Sequence, residues 1–129
     1  MLPMSDGVRL HTLVVTPASL KHKQFPTVID RSPYGMFNTE LLADVFLLFG
    51  FAAVSQDLRG ACKSEGKFSL WHTDEADGKE TIDWIVRQPW SDGTIYEVGA
   101  SADGIASFVL ARAAPTALRA QLALSLIHI

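Results

Sequence analysis

The chain has 129 residues, of which 48% are hydrophobic and 19% charged, and this composition excludes a disordered protein. The length allows one hydrophobic core but is short for a complete α/β enzyme. The net charge of -3 leaves no basic surplus to neutralise phosphates, which argues against nucleic acid or an anionic membrane as a partner. Cys62 is the single cysteine and excludes an intrachain disulfide; with no signal-peptide pattern and no membrane-spanning apolar run, a cytoplasmic protein is expected.

Hydrophobic periodicity and turn residues predict five strands and three helices in alternation. The strands are expected over residues 8–15, 26–30, 51–54, 94–98 and 118–124, and the helices over 39–49, 74–87 and from a turn at 99–104 to 114. Asn38 is the expected N-cap of the first helix and Gly50 its stop, while Pro115 ends the third helix. A turn at Asp92-Gly93 is expected to lead into the fourth strand. Strands that alternate with helices predict βαβ units and therefore an α/β fold with a mostly parallel sheet.

The turn Gly99-Ala100-Ser101-Ala102-Asp103-Gly104 stands between a predicted strand and a predicted helix. A serine in such a turn projects its hydroxyl above the carboxyl edge of the sheet, and small neighbours let the backbones approach closely. The amides at the start of the following helix point to the same place and can stabilise an oxyanion. The context therefore indicates a nucleophile, and a plain tight turn is the alternative.

Two phosphate-binding interpretations of this turn fit less well. A P-loop needs a lysine and a hydroxyl residue after its last glycine, where this chain has Ile105 and Ala106. A dinucleotide loop needs G-x-G-x-x-G spacing, which the turn lacks.

Several short motifs occur in an order typical of one family. They are Arg31-Ser32-Pro33-Tyr34-Gly35, Gln56-Asp57-Leu58-Arg59-Gly60, Ser64-Glu65-Gly66, Asp74-Glu75-Ala76-Asp77-Gly78 and Gln88-Pro89-Trp90-Ser91-Asp92-Gly93. Together with the serine turn they resemble the CocE/NonD hydrolases, which are related to the X-Pro dipeptidyl-peptidases of the S15 type. The resemblance covers about residues 5–122. It implies the N-terminal portion of an α/β-hydrolase fold, which stops after the nucleophile helix and the next strand.

The resemblance also implies roles for three residues. Ser101 matches the acylated nucleophile, Tyr34 matches a tyrosine whose phenol donates to the oxyanion, and the backbone N–H of Ala102 matches the second donor. The implied activity is cleavage of a carboxylic ester, an amide or a peptide bond, with no cofactor. Without the family, Tyr34 would equally be interpreted as a half-buried loop aromatic.

Three positions depart from the family pattern. Ala102 stands where the family has a tyrosine that shapes the acyl pocket. Asp103 places a carboxylate at the start of the helix. Its negative charge interacts favourably with the helix dipole but repels a nearby oxyanion. Cys62 stands in a loop where the family favours glycine, so a strained turn is expected to be altered there.

The rest of a catalytic triad is missing from these residues. Serine hydrolases of this fold carry an acid and then a histidine after the nucleophile, yet only Asp103 and His128 follow Ser101. The chain by itself is therefore expected to be an inactive fragment, and a non-catalytic α/β module that binds a small molecule or a protein is the alternative.

The remaining polar and aromatic residues are expected to be structural. Arg59 with Asp57, and the acidic residues 74–77, should form ion pairs and a helix N-terminus. The three tryptophans should serve packing. A metal site is not expected, because His11, His22, His72 and His128 lack ligand spacing.

Overall fold

A five-stranded sheet with helices on both faces organises the chain, in a computed structural model that describes residues 1–18, 24–36, 39–69, 71–113 and 116–124. The strands are β1 Leu2–Pro3, β2 Arg9–Leu10, β3 Thr12–Val15, β4 Phe25–Ser32, β5 Ala52–Asp57, β6 Ser91–Ala100 and β7 Leu118–Leu124, and the helices are α1 Thr39–Leu48, α2 Asp74–Val86 and α3 Ala102–Arg112. The sheet order is β3-β5-β4-β6-β7, in which β3 is antiparallel to β5 and the other neighbours are parallel. β1 and β2 form a separate antiparallel pair. The predicted α/β fold with a mostly parallel sheet is confirmed.

The central strand β4 is covered on both faces because its apolar residues alternate between two cores. Ile29 packs with Ile82 of α2 and Leu110 of α3 on one face. Val28 packs with Ala43 of α1 on the other. All six residues of β5 are buried as well. Coverage on both faces explains why even the polar and charged residues in the second half of each strand are buried.

The two strands that lead into the candidate site are longer than predicted. β4 extends to Ser32, and β6 starts at Ser91 rather than after the Asp92-Gly93 pair, so the turn predicted there is wrong. Gly93 has a φ of 83°, and the pairing register with β4 shifts beside it, so the backbone bends without leaving the strand. The turn predicted over 99–104 reduces to Ser101 because β6 continues to Ala100 and α3 begins at Ala102.

The first predicted strand is divided in two, and the end of α1 is as predicted. The strand predicted over 8–15 is divided at His11 into β2 and β3, and β1 was not predicted. Gly50 ends α1 as expected, with a φ of 82° and its N–H bonded to the Leu47 carbonyl. Asn38, Pro115 and the tail 125–129 lie outside the described residues.

Within the described ranges, no helix is long and apolar enough to cross a membrane.

Candidate active site at the carboxyl edge of the sheet

The carboxyl ends of three parallel strands meet at one edge of the sheet. Ser32, at the end of β4, pairs with Asp57 at the end of β5. β6 lies on the other side of β4 and ends at Ala100. Tyr34 follows β4 by two residues and Ser101 follows β6 by one, so the fold brings both to the same edge on adjacent strands.

Ser101 has a strained backbone that strand β6 and helix α3 hold in place. Its φ of 59° and ψ of -122° lie in a sparsely populated region, which costs about 1–3 kcal/mol for a residue other than glycine. Its N–H donates to the Leu124 carbonyl of β7 at 2.8 Å, and its carbonyl accepts from Ile105 N–H at 3.1 Å. Such a conformation persists only where surrounding structure enforces it, which is the geometry expected of a sharp strand-to-helix turn that presents a side chain.

Gly99 is required for this turn because α3 starts directly against the end of β6. A Cβ at this position would lie 2.6 Å from both the carbonyl carbon and oxygen of Asp103 and 2.8 Å from the Gly104 nitrogen. No side chain fits within these distances. The sequence prediction that the turn needs small residues therefore has a specific steric reason.

The Ser101 hydroxyl is not used to cap α3, although Ser101 occupies the N-cap position. N-cap serines commonly use their side chain for this purpose, so an uncommitted hydroxyl leaves the group available for other chemistry. Ala102 is the first residue of the helix, and first-turn N–H groups have no acceptor within their own helix. The partial positive charge of the helix start therefore lies beside the Ser101 hydroxyl.

Tyr34 lies in an exposed loop whose backbone is fixed from two sides. Its side chain is 63% exposed, and its N–H donates to the Ser32 Oγ at 3.1 Å. Cys62 approaches the same loop, with its Sγ 3.6 Å from the Pro33 carbonyl oxygen. Cys62 has a φ of 47°, the left-handed conformation in which glycine is least strained, so the strained turn expected at this position is present.

Arg31 joins three of the sequence motifs beneath this edge. It is only 1% exposed, and its Nε donates to Gln56 Oε1 at 2.9 Å. Its two Nη atoms donate to the carbonyl and carboxylate oxygens of Asp74 at 3.1 and 3.2 Å. The guanidinium therefore connects the ends of β4 and β5 to the start of α2.

The predicted ion pair between Arg59 and Asp57 is wrong. Arg59 makes two hydrogen bonds with Asp77 of α2, at 2.8 and 2.6 Å, and one with Asp6 at 2.6 Å. Asp57 is buried and instead lies 2.9 Å from Nδ1 of His11. The difference arises because Arg59, past the end of β5, is directed toward α2, where the predicted acidic helix start is confirmed.

Three carboxylates near the serine turn are buried, and only Asp103 among them was singled out in the sequence. Asp30, Glu97 and Asp103 are 4%, 1% and 3% exposed, and each has one oxygen with no hydrogen-bond partner among the described residues. Burial, with the negative charges of Asp103 and Glu97, raises the pKa of Asp30 to about 7. Burial also raises the pKa of Glu97 to about 7, against the hydrogen bond from Gln121, and raises the pKa of Asp103, against a hydrogen bond from Ser32. For Asp30 and Glu97, the available signal was an acidic residue inside a predicted strand of the parallel sheet.

The tryptophans pack against other aromatic rings. Trp84 and Trp90 form an edge-to-face pair with centroids 6.3 Å apart, and Trp71 contacts Phe68 in the same way at 6.1 Å. In the part of the chain that the structure describes, no group of three or more His, Cys, Asp or Glu side chains could hold a metal ion. His22 and His128 lie outside that part.

Comparison with known sequences identifies related hydrolases. The family profile for X-Pro dipeptidyl-peptidase (S15 family) matches residues 6–128. The cocaine esterase of Rhodococcus sp. (strain MB1 Bresler) is 36% identical over 111 residues, which cover 81% of this chain and 19% of that protein. A putative serine esterase of Mycobacterium bovis is 33% identical over 130 residues, which cover 83% of this chain and 21% of that protein. The chain thus spans about a fifth of the length of these curated relatives.

Solved structures with the same fold include further hydrolases. An aminopeptidase from a marine sediment archaeon, Thaumarchaeota archaeon, superimposes with a TM-score of 0.83 at 27% identity, over 94% of this chain and 24% of its own. A CocE/NonD family hydrolase from Staphylococcus aureus superimposes with a TM-score of 0.81 at 26% identity, over 92% of this chain and 25% of its own. The fold is therefore that of the N-terminal part of these α/β hydrolases.

Proposed function

The chain belongs to the X-Pro dipeptidyl-peptidase (S15) family of esterases and peptidases, and from this we propose that Ser101 is the nucleophile of a serine hydrolase that cleaves carboxylic esters or amides. The observation that carries the proposal is the strained Ser101 backbone between β6 and α3, together with a hydroxyl that caps no helix. Strain at a residue with an uncommitted reactive group is characteristic of functional sites. The putative serine esterase of Mycobacterium bovis is a relative with a matching description.

The proposed reaction proceeds through an acyl-enzyme. The Ser101 Oγ attacks the substrate carbonyl carbon while its proton passes to a histidine base, which gives a tetrahedral intermediate with a negatively charged oxygen. Collapse of that intermediate expels the alcohol or amine, which takes the proton from the base. Water then attacks the acyl-Ser101 ester by the same route and releases the acid, so the reaction requires no cofactor.

Two donors are proposed to stabilise the oxyanion. The N–H of Ala102 belongs to the first turn of α3 and lies next to the nucleophile in sequence. Tyr34 follows the neighbouring strand β4 and its side chain is exposed, so the phenol is free to turn toward a substrate at the same edge. Donors of this kind act on the transition state because the charge they stabilise develops only there.

We further propose that these 129 residues do not turn over substrate by themselves, because the described part of the chain supplies no base for Ser101. His11 is paired with Asp57, but it lies beside β3, three strand spacings or about 14 Å from the line of β6. Asp103 shares the nucleophile's own turn and cannot orient a histidine across the site. Neither His11 nor His72, the described histidines, is hydrogen-bonded to Ser101.

A chimera provides the test. The segment of this chain that aligns with the Rhodococcus cocaine esterase, 81% of the chain, replaces its counterpart in that protein, whose remaining sequence is expected to supply the acid and histidine of this fold. We expect a fluorophosphonate probe to label the chimera and the chimera to hydrolyse p-nitrophenyl acetate, and we expect Ser101→Ala to abolish both. Ser91→Ala, a buried serine at the opposite end of β6, is the matched control and should retain both.

The same experiment separates the enzyme from a non-catalytic binding module. If the folded Ser101→Ala chimera is labelled and turns over as fast as its parent, Ser101 is not the nucleophile. The unmodified 129-residue chain should show neither labelling nor turnover, and Ser101-dependent turnover by it would refute the proposed lack of a base.

A further inference from the structure

Gln121 is a half-buried side chain of β7 to which the proposed reaction assigns no part. Its amide nitrogen carries two N–H groups, and it makes two hydrogen bonds to other elements of the fold. One acceptor is the carboxylate of Glu97, its pairing partner on β6. The other is the backbone carbonyl of Ser107 in α3, at 2.6 Å. A single side chain therefore joins β6, β7 and α3.

The same three elements meet at Ser101. Ser101 directly follows β6 and directly precedes α3. Its N–H donates to the Leu124 carbonyl of β7 at 2.8 Å, and its carbonyl accepts from Ile105 of α3 at 3.1 Å. A shift of α3 relative to β6 or β7 would change the backbone at Ser101, whose φ of 59° persists only where surrounding structure enforces it.

Both acceptors of the Gln121 amide lie in tightly packed parts of the fold. Glu97 and Ser107 are each 1% exposed. The Ser107 Oγ donates to the Asp103 carbonyl at 3.1 Å, and no side chain fits between that carbonyl and Gly99 of β6. Because the Glu97 carboxylate accepts one N–H of the amide, the orientation of the amide is fixed and its second N–H is directed at α3. The contact with α3 lies less than two helical turns from the nucleophile.

We propose that Gln121 is a positioning residue for the nucleophile: oriented by Glu97, its amide holds α3 against β6 and β7 and so keeps Ser101 in its strained conformation. The catalytic consequence rests on the proposed function of Ser101, while the link between the Gln121 amide and the Ser101 backbone is independent of it. Gln121 touches no substrate in this scheme.

Hydrogen exchange of the Ser101 amide, measured by NMR in the 129-residue chain, tests this link. Gln121→Met keeps the length of the side chain and removes both donors, so we expect it to raise the exchange rate roughly tenfold. Glu97→Leu removes only the group that orients the amide and should raise the rate roughly threefold. Glu97→Gln keeps an acceptor oxygen and resembles the protonated form, which burial favours by raising the pKa of Glu97 to about 7, so it should stay within about twofold of the parent.

The Leu58 amide distinguishes a local effect from general destabilisation. Its N–H donates to the Ser32 carbonyl at 2.9 Å at the same edge of the sheet, but it follows β5, which β4 separates from β6. In Gln121→Met the Leu58 exchange rate should stay within about twofold of the parent while that of Ser101 rises. An unchanged Ser101 rate, or an equal rise at Leu58 and Ser101, would overturn the proposal.

The chain contains a matched control in Gln88. It is also half-buried, and its Nε2 donates to a helix carbonyl, that of Trp84 in α2, at 2.9 Å. Gln88→Met removes the same kind of bond from a helix that does not contain the nucleophile, so it should leave the Ser101 exchange rate unchanged. A response of the Ser101 amide to Gln88→Met as large as to Gln121→Met would contradict the specific link.

Kinetics separate this inference from the proposed function. The chimera is extended through Leu124 so that it contains β7 of this chain. We expect Gln121→Met to lower kcat roughly tenfold with KM nearly unchanged, because the orientation of the nucleophile affects the transition state, and we expect Glu97→Gln to retain kcat. If Ser101→Ala leaves turnover intact, the proposed function fails while the exchange result still stands. If turnover depends on Ser101 but Gln121→Met does not lower kcat, only the positioning role fails.

Discussion

Replacing Asp30 by asparagine should remove much of the pH dependence of this protein's stability. Asp30 lies in the central strand β4, is 4% exposed, and has a pKa raised to about 7 by burial and by the neighbouring charges of Asp103 and Glu97. The unfolded chain ionises Asp30 near its ordinary value of 3.8, while the folded chain keeps it protonated to higher pH. Between these two values the folded state binds more protons, so stability is greatest below about pH 4 and falls as the pH rises to about 7.

The size of the effect follows from the two pKa values. Their difference of about three pH units corresponds to about 4 kcal/mol, at 1.36 kcal/mol for each unit. Between pH 5 and pH 8, about two of those units fall inside the window, which gives a loss of about 3 kcal/mol from Asp30. Asparagine has nearly the same shape and no charge, so Asp30→Asn should lose this contribution, while the contributions of Glu97 and Asp103 remain.

Urea unfolding followed by tryptophan fluorescence measures the difference. Between pH 5 and pH 8, we expect the parent chain to lose about 3 kcal/mol of unfolding free energy that Asp30→Asn does not lose. Asp44→Asn, at an exposed position of α1, is the control and should follow the parent at both pH values. A parent chain that is equally stable at both pH values, with Asp30→Asn unchanged relative to it, would show that Asp30 is not held protonated by its surroundings.

Three other variants test the site and the sheet edge. In the chimera described above, Tyr34→Phe should lower kcat by roughly 10²–10³ with little change in KM, and an unchanged kcat would return Tyr34 to an ordinary loop aromatic. Gly99→Ala should lower the unfolding free energy by about 1–3 kcal/mol, because its Cβ would overlap the Asp103 carbonyl, and thermal unfolding measures this. The edge strand β7 leaves Leu122 and Leu124 55% and 53% exposed, so the 129-residue chain should self-associate. Sedimentation should show that Leu122→Lys combined with Leu124→Lys reduces this association. A monodisperse unmodified chain would contradict the prediction.

The elements around the candidate site could be predicted because local signals agree with the final packing. The strand over 118–124 has the predicted bounds, and α2 starts at Asp74 as expected. The serine turn was identifiable because Gly99 and Ser101 meet steric requirements that are local in sequence. In these regions a few neighbouring residues determine the backbone.

The errors arise where distant parts of the chain decide the outcome. Asp92-Gly93 is a common turn pair, yet pairing with β4 keeps it within a strand, and no local signal reports that partner. Arg59 lies two residues after the motif's own aspartate, Asp57, but its partner is Asp77, eighteen residues away in sequence. Spacing therefore predicted that Arg59 would be paired, but it could not identify the partner.

The buried Arg31 explains why motifs without a proposed catalytic role occur together with the serine turn. A guanidinium that is 1% exposed must satisfy its donors within the protein, because an unpaired buried charge costs several kcal/mol. Arg31 does so with Gln56 of β5 and Asp74 of α2, so these residue types are required together. The same bonds fix the end of β4, where Ser32 is the last residue and Tyr34 follows two residues later. Loss of Gln56 or Asp74 would therefore displace Tyr34, the proposed oxyanion donor, and would also destabilise the core. The structural motifs are in this way connected to the proposed oxyanion site.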